Sequence, residues 1–246
     1  MITEELLALV EAAGFIFSGR AIPGRVAEAH GGRENAVAVQ VHQVLRSPDV
    51  LGDLAGTDVI VVSERPQAIR DGGSLVLFTS VAAVGDRLVT RELEHREASD
   101  EGIRDVAEAV RIVGERPLVR RISEAELIVV GEVVGGAPIE RRGPLPSEHD
   151  PEWWIARVAV RSVVKGATRK RTLEVLFAHS EDIAWYKAPK LHEGTSGILL
   201  LRRRDKDEAP SEVAETVYQA TDPLDLLAVQ RLPEVEVIVE LERGDG

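Results

Sequence analysis

Residues 153–166, WWIARVAVRSVVKG, decide the fold of this chain, because they read as a long alternating β-strand that residues 35–46, NAVAVQVHQVLR, repeat. In both stretches valines stand at every second position, then a Val-Val or Val-Leu pair and a base lead into a turn. That is the pattern of a strand with one buried face. Val39, Val41 and Val44 match Val158, Val160 and Val163 at one offset, since 158 − 39, 160 − 41 and 163 − 44 all give 119. A constant offset over three positions points to an internal duplication.

Outward from these strands the chain falls into two copies. In the first, Thr3 caps a short helix whose Leu6, Leu7, Leu9 and Val10 form an apolar stripe. Strand 15–21, FIFSGRA, follows, with Gly19 expected at a bulge or close backbone approach. Strands 58–63, DVIVVS, 74–79, SLVLFT, and 87–94, RLVTRELE, complete that copy. An amphipathic helix is expected over 99–114 with Gly114 as its stop, then a second helical stretch from Pro117 to near Glu126.

The second copy opens with strand 127–134, LIVVGEVV, whose Gly131 stands opposite Gly19 at an offset of 112 (131 − 19). The rise from 112 to 119 places seven extra residues in the next loop. Strand 172–177, TLEVLF, answers DVIVVS, and GILLL at 197–201 answers SLVLF at 74–78. Residues 212–220 are expected as the fifth strand. Asp222 is expected to cap a helix, PLDLLAVQRL, that Pro233 breaks before VEVIVEL, a strand or an exposed helical tail.

A helix and five short strands per copy imply a mainly β chain with short helices, built as two tandem five-stranded OB-like barrels related by internal duplication. The expected domains are 1–98, a first barrel with its N-terminal helix; 99–126, a helical connector; and 127–246, a second barrel with long loops and a C-terminal helix. The recurring pattern is a helix, then A-x-x-[IV]-x-x-G-x-[VA], an alternating strand ending in V-[VL]-[KR]-G, then V-x-V, then G-x-x-[LI]-[VL]-L. Residues 12–21, 37–46, 59–61 and 72–78 carry it first, and 124–133, 155–166, 173–175 and 194–201 carry it again. It resembles the netrin-like or TIMP-like OB domains. In metalloproteinase inhibitors of that family an N-terminal cysteine contacts the catalytic zinc and disulfides brace the barrel. This chain has no cysteine, so protease inhibition is not carried over.

The 246 residues are 44% hydrophobic and 29% charged, the composition of a folded soluble chain. No apolar run reaches membrane-spanning length, and acids stand in MITEELLALVEAAG where an export signal needs bases, so a cytoplasmic protein is expected with no membrane partner. Without cysteine there is no disulfide framework, thiol nucleophile or thiolate metal site. A net charge of −12 repels a phosphate backbone at long range, which disfavours nucleic acid as a partner. All five lysines, the 3 tryptophans and the 2 tyrosines lie beyond residue 122, so specific contacts are sought in the second copy.

Trp153, Trp154, Trp185 and Tyr186 are the candidate partner-binding residues. Adjacent tryptophans on a strand point to opposite faces, so at most one of Trp153 and Trp154 easily joins the core. Trp185 and Tyr186 lie in a long excursion, where large aromatics serve as interface anchors. Arg169, Lys170, Arg171, Arg202, Arg203 and Arg204 form the alternative, an anion-binding groove, set against a solvated salt-bridged surface. Glu148, His149, Asp150, His179 and His192 are the candidate metal ligands, but HExxH, EF-hand and paired-His spacings are absent and no metal is expected. P-loop, dinucleotide-glycine and GxSxG motifs are absent too. The expectation is a cofactor-free, non-enzymatic protein-binding or assembly module whose partner is a protein, a multi-protein assembly or a second copy. The alternative is an OB-type binder of single-stranded nucleic acid or oligosaccharide.

Overall fold

The computed structural model describes residues 2–22, 35–71, 73–84, 87–140, 151–203, 213–214 and 217–244. The chain divides into two compact units, Met1–Arg116 and Pro117–Gly246. Each is a closed five-stranded barrel of OB-like topology, and the two are a tandem duplication.

In the first unit α1 (Glu4–Ala12) is capped by Thr3, whose side chain accepts a hydrogen bond from the Leu6 amide at 3.2 Å. β1 (Phe15–Ala21), β2 (Ala36–Arg46), β3 (Asp58–Val62), β4 (Leu75–Val84) and β5 (Arg87–Glu97) close in the order β1-β2-β3-β5-β4. All seams are antiparallel except β3 with β5. Alternation puts Phe15, Phe17, Val37, Val39, Val41, Val59, Val61, Leu75 and Leu77 in the interior, where α2 (Pro66–Asp71) adds Ile69. Outside β1 and β4, Ile16, Val76 and Phe78 are covered by Leu6, Leu7 and Val10 of α1 and by Val106, Ala109 and Val113 of α3 (Asp100–Glu124).

The second unit repeats this plan with β6 (Leu127–Pro138), β7 (Glu152–Lys165), β8 (Thr172–His179), β9 (Ser196–Arg203) and β10 (Tyr218–Gln219). The ring is β6-β7-β8-β10-β9, again with one parallel seam, β8 with β10. Inside lie Leu127, Val129, Val133, Ala156, Val158, Leu173, Val175, Phe177, Leu199 and Leu201. Outside β6 and β9, Ile128, Val130, Ile198 and Leu200 are covered by Leu118 and Ile122 of α3 and by Val235 and Val239 of α4 (Leu232–Gly244).

The duplication extends to hydrogen-bond register. Phe17, Gly19 and Ala21 face Val44, Val41 and Val39, while Val129, Gly131 and Val133 face Val163, Val160 and Val158. The same two bulges recur, at Ile16/Phe17 and Ser18/Gly19, then at Ile128/Val129 and Val130/Gly131. The glycines are required by contact: a Cβ on Gly19 would sit 2.5 Å from the Gln40 carbonyl oxygen, and one on Gly131 would sit 2.9 Å from that of Ala159.

Four local expectations are corrected. GILLL aligns with LVLFT, because Gly197 faces Gly131 as Leu75 faces Gly19 (197 − 75 = 122), one residue away from the pairing with SLVLF. A continuously apolar strand has no alternation from which to read register. Second, α3 runs through both Gly114 and Pro117 without stopping. An interior proline costs ~3 kcal/mol, and burying Val113, Leu118 and Ile122 stabilises by about 1.5–3 kcal/mol each. The division between the units falls inside this helix, between Arg116 and Pro117, and each part packs on its own barrel.

Third, Pro233 opens α4 instead of breaking a helix, since its missing N–H is no loss in a first turn. Fourth, the fifth strand of the second unit is broken. β10 and β11 (Leu226–Leu227) pair with opposite ends of the same β9 edge, and Asp222 caps a 3-10 turn, Pro223–Asp225, between them. In the first unit five steps lead from Thr90, opposite Val81, to His95, opposite Leu77 (95 − 90). In the second, eight steps lead from Tyr218, opposite Arg203, to Leu226, opposite Leu199 (226 − 218). Three additional residues therefore leave the barrel wall as the turn.

Candidate functional site: an anchored aromatic loop and an adjoining groove

A long excursion between strands projects usable side chains only if its backbone is held, and residues 180–190 are held by one cation. The Lys190 ammonium donates to the carbonyls of Ala178, Ser180 and Trp185 at 3.0, 2.7 and 3.1 Å. Burial lowers its pKa below the usual lysine range, against the opposing pull of Glu181. Asp182 adds two turns: its carboxylate accepts from the Ala184 amide at 2.9 Å and its carbonyl from the Trp185 amide at 2.8 Å. Trp185 then packs edge-on against Trp153, with ring centroids 5.5 Å apart and planes at 72°.

The two adjacent tryptophans of β7 do point to opposite faces, and both meet apolar groups. Trp153, 9% exposed, lies on the outer face with Leu176, Ala178, Ala188, Val213 and Val217. Trp154 faces the barrel mouth, half-buried over the interior. It stacks on His179 at 4.9 Å, and its indole N–H donates to Glu152 Oε2 at 2.8 Å. Tyr186 is 57% exposed beneath the Lys187 ammonium, and Ile183, which sequence reasoning missed, is 84% exposed. The loop thus presents Ile183 and Tyr186 on a braced base.

His179 and His192 meet edge to face at 5.5 Å, and His179 Nδ1 is 3.7 Å from Glu152. Glu148, His149 and Asp150 lie outside the described residues, and among the described residues no group of three or more potential ligands converges. Register places Arg169, Lys170 and Arg171, all exposed, at the same barrel end as Arg202 and Arg203. Acids attend part of this set: the Arg203 amide donates to Glu126 at 3.0 Å and its guanidinium lies over Tyr218. Arg204 lies outside the described residues.

The broken fifth strand creates a groove. Its cavity, about 400 Å³, is lined by Trp185, Arg202, Thr221, Asp222 and Pro223. One wall is the loop and the other is the extruded turn. The turn is fixed by Asp225, 0% exposed, which accepts from Arg121 Nε and Nη2 at 2.5 and 2.6 Å and from the amides of Thr221 and Asp222 at 2.8 and 2.9 Å. Burial pushes the Asp225 carboxyl up, and Arg121 with the two amides pulls it back toward ionisation. Arg202 is less well satisfied. Its Nε is buried with no hydrogen-bond partner among the described residues, and its Nη1 lies 3.9 Å from a Glu124 carboxylate that Arg120 and Arg121 already approach at 2.7 and 3.6 Å.

No protein-family model matches this chain, and no curated protein matches its sequence. The site therefore stands on its own geometry.

That geometry joins one residue from each set the sequence separated, Trp185 from the aromatic group and Arg202 from the basic group. It also depends on Lys190, Arg121 and Asp225, none of which was singled out. The signal the sequence did hold was the spacing of Asp222 and Asp225, an acidic pair at the ends of a capping box.

Proposed function

We propose that this protein is a non-catalytic protein-binding or assembly module that meets its partner through the 180–190 loop of the second barrel. The observation that carries the reading is the pairing of rigidity with exposure: three hydrogen bonds from Lys190 brace a loop whose Ile183 and Tyr186 stand in solvent. Anchors held in place before contact lose little entropy on binding, and aromatic residues dominate interface energetics. Trp153 supports the loop from beneath, Trp185 forms its shoulder, and Trp154 belongs to the barrel mouth. A cysteine-free netrin-like barrel working in the cytoplasm is part of the same reading, supported by the repeated strand pattern and the acidic, cysteine-free composition.

The test is site-specific photo-crosslinking in the native cell, with a benzophenone side chain in place of Tyr186 and, as control, in place of Val50, which is 90% exposed in the first unit. A discrete adduct from position 186 that Ile183→Asp removes is expected. Equal adducts at both positions, no adduct at 186, or turnover of a substrate by the purified chain would overturn the reading.

A further inference from the structure

The groove beside the loop is an open surface cleft that brings apolar wall, a cation and an acid together. Its volume, about 400 Å³, is enough for a small molecule or one amino-acid residue held with one side in solvent. Trp185 and Pro223 supply apolar wall, Arg202 supplies the cation among the described lining residues, and Asp222 supplies an acid across from it. Arg202 has five N–H donors. Its Nε is buried and unpaired among the described residues, and its ion-pair contact is a long approach to Glu124, a carboxylate shared with Arg120 and Arg121. Arg120, Arg121 and Arg202 balance Glu124, Asp225 and Asp222 three against three, so a ligand carboxylate is drawn by the donors of Arg202 itself and not by a surplus of positive charge.

We propose that this groove binds a monocarboxylate borne next to an apolar group, with the carboxylate on the guanidinium of Arg202 and the apolar group against Trp185 and Pro223. A planar carboxylate matches the guanidinium and accepts two parallel hydrogen bonds from its terminal Nη groups, the buried Nε being out of its reach. A phosphate dianion fits less well, because Asp222 and Glu124 stand close by and repel the second charge. The Asp222 carboxylate accepts from the Leu224 amide at 2.8 Å and, as the cap of a capping box, from the backbone of Asp225, and a carboxylate's remaining lone pairs can take an N–H of the ligand. An N-acylated apolar amino acid carries all three groups. Two sources present it, a free acylated amino acid and the C-terminal residue of a polypeptide.

Ile183 and Tyr186 are not among the described lining residues, so although Trp185 borders both surfaces, ligand binding that survives Ile183→Asp is distinguishable from partner binding. The experiment is calorimetric titration of the full chain with N-acetylphenylalanine and with N-acetylphenylalaninamide. The acid is expected to bind at least about tenfold more tightly than the amide, the scale of charge-assisted hydrogen bonds. Arg202→Gln removes that difference and Ile183→Asp preserves it. A decapeptide ending in phenylalanine with a free carboxylate distinguishes the sources. Affinity well above that of the free amino acid assigns the groove to a chain terminus, and equal affinity assigns it to the small molecule. Equal binding of acid and amide, no binding of either, or undiminished acid binding by folded Arg202→Gln would overturn the proposal. The acid–amide comparison uses the parent chain, so it holds even if the variant does not fold.

Discussion

Arg121 and Asp225, 104 positions apart, form a two-pronged ion pair inside the second unit, the guanidinium reaching both carboxylate oxygens at 2.5 and 2.6 Å. The pair ties α3 to the turn that walls the groove. Asp225→Ala leaves buried Arg121 with only its longer approach to Glu124, at 3.6 Å, and frees two backbone amides, and is expected to cost about 3–5 kcal/mol. Denaturant unfolding followed by tryptophan fluorescence measures it, because all 3 tryptophans lie in this unit. A midpoint equal to that of the parent would show the pair to be dispensable.

The repeated glycines and Gly114 give predictions of opposite sign. Gly19→Ala and Gly131→Ala force a Cβ against strand backbone and are each expected to destabilise by about 1–3 kcal/mol. A Cβ at Gly114 would meet nothing within 4 Å among the described residues, and the position lies within α3, so Gly114→Ala is expected to stabilise by about 0.5–1 kcal/mol. Thermal unfolding of the three variants reads the contrast.

Lys190→Met removes the cation that gathers three carbonyls. A loss of about 1.5–3 kcal/mol is expected locally, as for hydrogen bonds to a charged group. Limited proteolysis should then cut within 180–190 much faster than in the parent, while the first unit stays intact. Unchanged cleavage would mean that the tryptophan packing alone holds the loop.

Acid should weaken the helices through their ion pairs. Arg111, Arg120 and Arg231 hold Glu108, Glu124 and Glu234 below the ordinary carboxylate value of 4.5. A depressed folded-state pKa means that the folded state binds fewer protons than the unfolded one. The resulting stability is present above about 4.5 and is lost as pH falls through the lowered values. These carboxylates are solvent-accessible, so the effect is small and salt-screened. Urea midpoints measured from neutral pH down through this range, with and without added salt, test both statements.

Much of the architecture is legible in residues that alternate. Val39, Val41 and Val44 in one strand and Val158, Val160 and Val163 in the other announce the duplication, and Gly19 and Gly131 announce the crowded bulges. The legibility ends where alternation ends. Strand 196–203 is apolar on both faces, so its register slips by one in a sequence reading. The site is less legible still, because Lys190, Arg121 and Asp225 act through contacts with distant backbone and side chains that no local spacing encodes.

The sequence by itself determined two barrels, because burying one face of a strand demands a period of two that can be counted along the chain. It also determined which face each valine turns inward and where only glycine fits. Tertiary structure alone decided that α3 continues through Gly114 and Pro117, that the second unit's fifth strand breaks at Thr221, and that Trp185 and Arg202 share a groove. The reason is the same in each case. A helix is prolonged, or a strand interrupted, by what it packs against, and that neighbour lies far away along the chain.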